Sequence, residues 1–336
     1  MARTTGPDFS VILVVPDHFE AIRHTVRCLR AQTVHDRIEL ILVGPTDAAL
    51  RERDSPETEG FFDVRTVTVR PIENVDKAVL HGIRVATAPV VALLEDHAFP
   101  EPTWAEALLR AHLGPWSAVG AVALNANPDS LLSWVNFLVS YGSWSEPVAW
   151  GETGMVSGHN LTFKRAVLAE YGNDLERLLG REGGLLDELR AKGHRFYLEP
   201  QARYYHANPS LLSSTAELRF NSGRLYGAER AARGQWSLSR RLLYVAGGPL
   251  IPFVRFQRIR RELFAAGRHK RLVPRVFPAL LLGLALDAAG QMVGYLTGAG
   301  RAENTMASFE VDRMRHLTER YRLRLANLTH PEPKQS

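Results

Sequence analysis

Short apolar or alternating runs are separated by segments of helical spacing along residues 9–124 of the chain. Runs that predict buried strands lie at 9–15, 38–43, 64–69, 89–94 and 117–124. Segments with apolar residues three or four positions apart lie at 20–33, 74–86 and 105–112, and these predict helices. Strand-helix alternation is typical of a parallel sheet with right-handed crossovers covered by helices. We therefore predict an α/β domain with a Rossmann-like, mostly parallel sheet flanked by helices.

The predicted strand at 89–94 ends in three polar residues, Glu95, Asp96 and His97. Ligands of open α/β sheets bind at the carboxyl ends of such strands. Carboxylate and imidazole together suit a divalent cation such as manganese or magnesium, and imidazole favours manganese. On these residues alone, a metal site and a charged surface turn are both open interpretations.

The composition is that of an ordinary folded protein. With 336 residues, the chain can form one large domain or two. Its single cysteine, Cys28, excludes an internal disulfide and a multi-cysteine zinc cluster. The first ten residues lack the apolar segment of a secretory signal, so we expect the catalytic part to be cytoplasmic. The sequence contains no G-x-G-x-x-G, no phosphate-binding G-x-x-x-x-G-K-[ST] loop and no G-x-S-x-G nucleophile motif.

Positive charge is concentrated in one part of the chain. The net charge is +5, yet residues 219–275 carry 14 Arg and Lys against two Glu, so the remainder carries −7. Basic segments of this kind attract phosphate groups, in nucleic acid or in anionic lipid. Long apolar runs interrupt the basic residues instead of leaving an aromatic-lined basic groove, so we expect no nucleic-acid partner and predict an anionic membrane surface.

The C-terminal third supports this prediction. Residues 255–264 form a basic amphipathic pattern, and 276–286 are strongly apolar until Asp287 and Gln291 interrupt the run before 292–296. A bilayer-spanning helix needs roughly 20 apolar residues, so the shorter run favours an interfacial segment, with a single span at 277–296 as the alternative. We predict a catalytic domain at 1–210, a basic and apolar membrane-associating helical region at 211–300, and a polar helix and tail at 301–336.

Several segments resemble the motifs of bacterial-type family 2 glycosyltransferases. Residues 11–16 are similar to the family's first strand, and Leu-Arg-Ala-Gln-Thr at 29–33 resembles its L-x-A-Q-T segment. Glu95-Asp96-His97 lies where the family carries D-x-D, and P-x-P-x-W follows at 100–104. Residues 158–165 resemble G-x-N-x-x-F-R-R, and 182–193 with Pro200 and His206 resemble the closing motifs. The resemblance covers roughly residues 9–206, in the family's order.

This resemblance implies a GT-A fold and a single inverting displacement, with a divalent metal bridging the diphosphate of a nucleotide-sugar donor. It places the nucleotide and the metal against residues at three places in the chain. Those near the nucleotide are Pro16, Asp17, Glu20 and Asp96, and the metal ligands are Glu95, Asp96, His97 and His206. For His206, which follows two tyrosines, a packed core histidine is the alternative. Gly44-Pro45 replaces the aspartate that often contacts the base, which leaves the nucleotide base open.

The resemblance also assigns the catalytic base and the acceptor site. Glu182 aligns with the family's catalytic aspartate. The alternative role for Glu182 is to stabilise the start of a helix through the helix dipole. His159, Asn160 and Trp144 are candidates for acceptor binding. The alternatives are that Asn160 holds a loop in place and that the tryptophan is a packing anchor.

Three functions remain open from the sequence. The first is an inverting glycosyltransferase at the inner face of the cell membrane, acting on a lipid-linked or cell-envelope glycan. The second is a soluble transferase with a polar acceptor, and the third is a non-catalytic protein that binds nucleotide sugars.

Overall fold

The computed structural model describes residues 6–15, 18–46, 50, 56–72, 74–146, 148–179, 184–265 and 273–327. Three predicted site residues, Pro16, Asp17 and Glu182, lie outside the described residues. Their predicted roles therefore rest on the sequence alone.

Nine strands form one mixed sheet in the described part of the chain. They are β1 (Phe9–Val14), β2 (Ile38–Gly44), β3 (Asp63–Thr68), β4 (Val90–Leu94), β5 (Ala98–Pro100), β6 (Ala118–Asn125), β7 (Gly151–Thr153), β8 (Leu161–Lys164) and β9 (Phe196–His206). The order is β3-β2-β1-β4-β8-β6-β9-β5, and β7 pairs with β9 outside this path.

Only one half of the sheet is parallel, and this half confirms the sequence pattern. β1 pairs in parallel with β2 and β4, and β2 with β3. Every residue of β1 and β2 is buried, as expected for strands covered on both faces.

The prediction of a mostly parallel sheet is wrong for the other half. β8 runs antiparallel to both β4 and β6, and β9 runs antiparallel to β5 and β7. The apolar pattern did not reveal this, because β6 and β8 are buried like parallel strands and burial carries no information on strand direction.

Thirteen α-helices are present in the described residues. They are α1 (Arg23–Arg30), α2 (Val75–Val85), α3 (Trp104–Ala111), α4 (Leu131–Tyr141), α5 (Arg165–Ala169), α6 (Asp174–Leu179), α7 (Gly184–Ala191), α8 (Leu212–Arg233), α9 (Leu238–Ala246), α10 (Ile251–Ala265), α11 (Val273–Thr297), α12 (Ala302–Val311) and α13 (Glu319–Asn327). The predicted helices at 20–33, 74–86, 105–112 and 255–264 are confirmed as α1, α2, α3 and part of α10. Side chains of Asn74, Ser130 and Ser237 cap the first turns of α2, α4 and α9 by accepting a backbone hydrogen bond.

The chain divides into two compact units. The first contains the residues up to Leu124, Val148–His206 and the end of α13, and it includes the sheet. One hydrophobic core of this unit joins sheet residues such as Ile12, Val91 and Phe163 to apolar residues of α2 and of α5 to α7. The second unit is Asn125–Pro147 with Ala207–Arg322, so it combines α4 with the helices from α8 to α12. The functional division into 1–210, 211–300 and 301–336 stays a prediction.

The second unit is built on a close pairing of α8 and α11. A Cβ atom at Gly223 of α8 would overlap the Asp287 carbonyl of α11, and one at Gly290 of α11 would overlap the Phe220 carbonyl of α8. One turn further along, a Cβ atom at Gly227 of α8 would overlap the Gln291 carbonyl, and one at Gly294 of α11 would overlap the Arg224 carbonyl. Small residues four positions apart on both helices therefore bring the two backbones into direct contact.

Buried polar side chains explain why the apolar run of α11 is interrupted. Asp287 accepts a hydrogen bond from Nη1 of Arg255 at 2.6 Å and another from Nε2 of Gln291 at 2.7 Å. The hydroxyl of Tyr295 donates to Oε1 of Gln291 at 3.1 Å. Asp287 and Gln291 thus satisfy each other's hydrogen-bonding groups, and Asp287 also pairs with Arg255. These contacts fix the position of α11 inside the second unit.

The close helix pairing predicts that Gly290→Ala will be strongly destabilising. The added methyl group must push α8 away from α11, and overpacking of this kind costs about 1–3 kcal/mol of unfolding free energy. Gly142→Ala is the matched control in the same unit, because Gly142 has φ −51° and open space around its Cα. Thermal unfolding followed by circular dichroism should show a lower midpoint for Gly290→Ala alone; equal midpoints would contradict the pairing.

Candidate metal centre and active site

Two parts of the first unit, the turn between β4 and β5 and the end of β9, bring Glu95, His97 and His206 together. Glu95 follows the last residue of β4, His97 precedes β5, and His206 ends β9. The antiparallel pairing of β5 with β9 places Ala98 opposite His206, which brings the two histidines side by side. One ligand atom from each of the three residues lies within 4.8 Å of the other two.

The cluster is compact and nearly closed to solvent. Nε2 of His206 lies 3.2 Å from Oε2 of Glu95, and Nε2 of His97 lies 3.9 Å from the same oxygen. The two imidazole rings are 4.6 Å apart and nearly perpendicular. The side chains of His97 and His206 are 3% and 1% exposed, against 14% for Glu95. Two imidazoles with one carboxylate suit Mn²⁺ or another transition metal better than Mg²⁺, which prefers oxygen ligands alone.

Asp96 lies on the opposite side of the His97 ring. Its Oδ1 is 2.5 Å from Nδ1 of His97, and this contact leaves Nε2 directed at Glu95. A carboxylate on the second ring nitrogen fixes the tautomer of a metal-binding histidine and raises its basicity. The backbone carbonyl of Asp96 in turn accepts a hydrogen bond from Oγ1 of Thr25 in α1. Asp96 therefore positions His97, and its predicted contact with a nucleotide or a metal stays a prediction.

Asn160 holds Glu95 in place through both ends of its amide. Its Oδ1 accepts from the backbone N–H of Glu95 at 2.9 Å, and its Nδ2 donates to Oε2 of Glu95 at 2.5 Å. Asn160 has a left-handed backbone with φ 54°, a conformation that asparagine tolerates better than most residues. These contacts favour the interpretation that Asn160 ties down its loop, and its role in acceptor binding stays a prediction.

Charge and burial set the protonation of Glu95. Burial by itself would raise the pKa of Glu95, but the charges of His159, His97 and His206 and a hydrogen bond from His206 hold it well below its usual range. Glu95 is therefore a carboxylate at neutral pH, ready to act as a ligand. Nearby, burial first and the Glu95 charge second raise the pKa of Tyr204, so this fully buried phenol stays neutral.

His159 approaches the cluster from the solvent side. Its side chain is 46% exposed, and its Nδ1 lies 3.5 Å from Oε1 of Glu95, whereas His97 and His206 are closest to Oε2. The structure thus brings His159 and Asn160, both predicted acceptor residues, next to the predicted metal ligands Glu95 and His97.

Glu20 and Trp144, the other predicted site residues that the structure describes, are not among the cluster's residues. Glu20 is exposed and forms a 2.7 Å ion pair with Arg23. Trp144 lies in the short 3-10 helix Gly142–Trp144 of the second unit. Their roles, like those of Pro16, Asp17 and Glu182 outside the described residues, stay predictions.

Two neighbours of the cluster were missed from the sequence. Tyr204 lies two positions before His206 in β9, so both side chains point to the same face of the sheet, and this alternation was visible in the sequence. The contribution of Thr25 was not visible, because its partner is a backbone carbonyl 71 positions away.

Comparison with known proteins shows a likeness in fold only. No protein-family model matches the chain, and no curated protein matches it. The structure is similar to that of the mannosyltransferase PcManGT from Pyrobaculum calidifontis, solved in complex with GDP-Man and Mn²⁺. The TM-score is 0.51 at 18% identity, over 89% of this chain and 88% of that one. The protein therefore has an α/β fold with a mixed sheet flanked by helices, similar to that of a glycosyltransferase.

Proposed function

We propose that this protein is a metal-dependent, inverting glycosyltransferase of family 2 with the GT-A fold. It moves a sugar from a nucleotide-diphosphate sugar to a hydroxyl group. The observation that carries the proposal is the Glu95–His97–His206 cluster beyond the carboxyl end of β4. This is the end of a strand where α/β sheets bind their ligands, in a fold similar to that of an enzyme solved with GDP-Man and Mn²⁺.

The residues of the cluster fit a divalent metal. The ligand atoms of Glu95, His97 and His206 converge, Glu95 is ionised, and the Nε2 atoms of both histidines face it. A metal held there supplies positive charge against the negative charge that develops on the departing diphosphate. Asp96 and Asn160 keep His97 and Glu95 in place, so the ligands need little rearrangement to bind the ion.

The acceptor hydroxyl must lose a proton as it attacks the sugar, and we assign this step to Glu182. The assignment rests on the motif resemblance. The carboxylates of α7 are poorer candidates, because Asp187 pairs with Arg190 at 3.0 Å and Glu188 with Lys192 at 3.5 Å on the exposed part of the helix.

The motif resemblance also supports a donor class and an acceptor class. A nucleotide-diphosphate sugar is the donor class, and its nucleotide lies against Pro16, Asp17, Glu20 and Asp96. The acceptor is a lipid-linked or cell-envelope glycan. His159 and Asn160, which lie beside Glu95, are its proposed binding residues, and the sequence adds Trp144 as a further candidate. We place the reaction in the cytoplasm at the inner face of the cell membrane, as the basic C-terminal third favours.

Nucleotide binding that depends on Mn²⁺ tests this function. Titration calorimetry with GDP and with UDP should show binding in Mn²⁺ and a dissociation constant at least about tenfold higher in chelator, because the metal neutralises the diphosphate. At a nucleotide concentration 100 times the dissociation constant, ligand binding adds about 2.7 kcal/mol to the free energy of unfolding. The proposal would be contradicted if the affinity for GDP and the affinity for UDP were each the same in Mn²⁺ and in chelator. Metal-dependent binding without sugar transfer to any glycan or lipid-linked acceptor would instead show a binding protein.

A further inference from the structure

Exposed apolar side chains are concentrated on one continuous segment of the second unit. The segment runs from α9 through the short 3-10 helix Gly248–Leu250 into α10. Six large apolar side chains in it are between 52% and 69% exposed, namely Leu238, Leu242, Leu243, Leu250, Phe253 and Val254. We call this segment, 238–254, the apolar strip. Contiguous exposed apolar groups on a folded protein mark a site of contact with another apolar phase.

Positive charge surrounds the apolar strip. Residues 230–261 contain eight arginines and neither aspartate nor glutamate. Arg240, Arg258, Arg260 and Arg261 are exposed, whereas Arg255 is used internally by its ion pair with Asp287. The strip therefore combines exposed apolar side chains with exposed arginines, whose positive charge attracts an anionic surface.

The long apolar helix α11 is partly packed inside the second unit. In the described residues, α11 is the one helix long and apolar enough to cross a membrane, over Pro274–Thr297. However, Leu280 and Leu284 are buried, and the glycine contacts place the backbone of α8 against α11. Charged residues of α8 are only half buried at Glu217 and Arg224. A helix packed along such a neighbour cannot be surrounded by lipid without carrying those charges into the hydrocarbon, which is costly.

We propose that the apolar strip inserts into the interface of an anionic lipid leaflet, so that the second unit lies on the membrane and does not span it. Leucine and phenylalanine side chains would enter the boundary between head groups and acyl chains, with arginines at the phosphates. A second copy of the chain is a poorer occupant, since a symmetric contact of the strip with itself would oppose arginine to arginine. The inference goes beyond the proposed reaction and does not depend on it.

Flotation with lipid vesicles tests this surface on the full-length protein. The protein should float with vesicles of phosphatidylcholine and phosphatidylglycerol, bind phosphatidylcholine alone more weakly, and keep part of its binding at high salt. The double variant Leu242→Ser/Leu243→Ser should reduce the partition coefficient at least about tenfold, because burial of each leucine is lost. Leu113→Ser is the matched control and should bind like the unaltered protein, since Leu113 is 88% exposed and lies in the first unit.

Any of the following four outcomes would overturn the inference. Failure of the unaltered protein to bind anionic vesicles at low salt would exclude a lipid partner. Unchanged vesicle binding by the double variant would exclude the apolar strip as the membrane-contact site. Complete loss of vesicle binding at high salt would show that the protein is held by charge alone, and an acidic protein partner would then explain the basic residues equally well. Resistance to alkaline carbonate would show a spanning helix. Mn²⁺-dependent nucleotide binding should be the same in the double variant, which separates this test from that of the proposed function.

Discussion

Replacing His206 by alanine should remove most of the Mn²⁺ affinity and lower the rate of sugar transfer by roughly 10²–10³-fold. His206 supplies one of two imidazoles, and its Nε2 lies 3.2 Å from Oε2 of Glu95. Without it, the remaining ligands are Glu95 and His97, and three ligands become two. The loss should be seen directly as weaker Mn²⁺ binding by electron paramagnetic resonance, before any activity is measured.

His194→Ala is the control for this experiment. His194 lies in the same unit, and its ring contacts Oγ of Ser117 at 2.7 Å instead of the cluster. It should leave Mn²⁺ affinity unchanged. If His206→Ala bound Mn²⁺ as tightly as the unaltered protein, the two histidines and Glu95 would be a buried polar contact and not a metal site.

Most of the parallel half of the fold was predictable from the sequence because β1, β2 and β4 are short apolar runs next to helical segments. β1, β2 and β4 were found within a residue or two of their ends for this reason. The antiparallel half was not predicted, because strand direction depends on where the chain returns to the sheet. β8 pairs with β4, but α4 and other elements separate the two strands in the chain. No local sequence pattern shows in which direction the chain re-enters the sheet.

The candidate site was predictable to the extent that its residues lie at strand ends. Glu95 and His97 follow an apolar strand, and His206 occupies a motif position near the end of β9. The supporting contacts were not predictable in the same way. The double hydrogen bond between Asn160 and Glu95 joins residues 65 positions apart and needs a left-handed backbone at Asn160. Likewise, the glycine spacing of α8 and α11 is visible in the sequence, but only the structure shows that the two helices are partners.

Replacing Glu182 by glutamine should lower the rate of sugar transfer by roughly two to four orders of magnitude, the usual range for loss of a general base. Glutamine has the same shape and can still hydrogen-bond to the acceptor, but its amide cannot take the proton from the attacking hydroxyl. The affinity for nucleotide in Mn²⁺ should stay nearly unchanged, because the metal cluster is built from Glu95, His97 and His206. A fall in the maximal rate with constant nucleotide affinity therefore distinguishes a base from a donor-binding residue.

Two substitutions in α7 provide matched controls, since they make the same chemical change a few residues further along. Asp187→Asn and Glu188→Gln remove carboxylates that pair with Arg190 and Lys192 on the exposed part of the helix. Exposed pairs of this kind contribute little to stability, about 0–1 kcal/mol, so both variants should fold and transfer sugar at near-normal rates. Near-normal turnover by Glu182→Gln, combined with a large loss in Asp187→Asn or Glu188→Gln, would move the base to α7. Near-normal turnover by all three would contradict the assignment of the base to Glu182 and to the carboxylates of α7 alike.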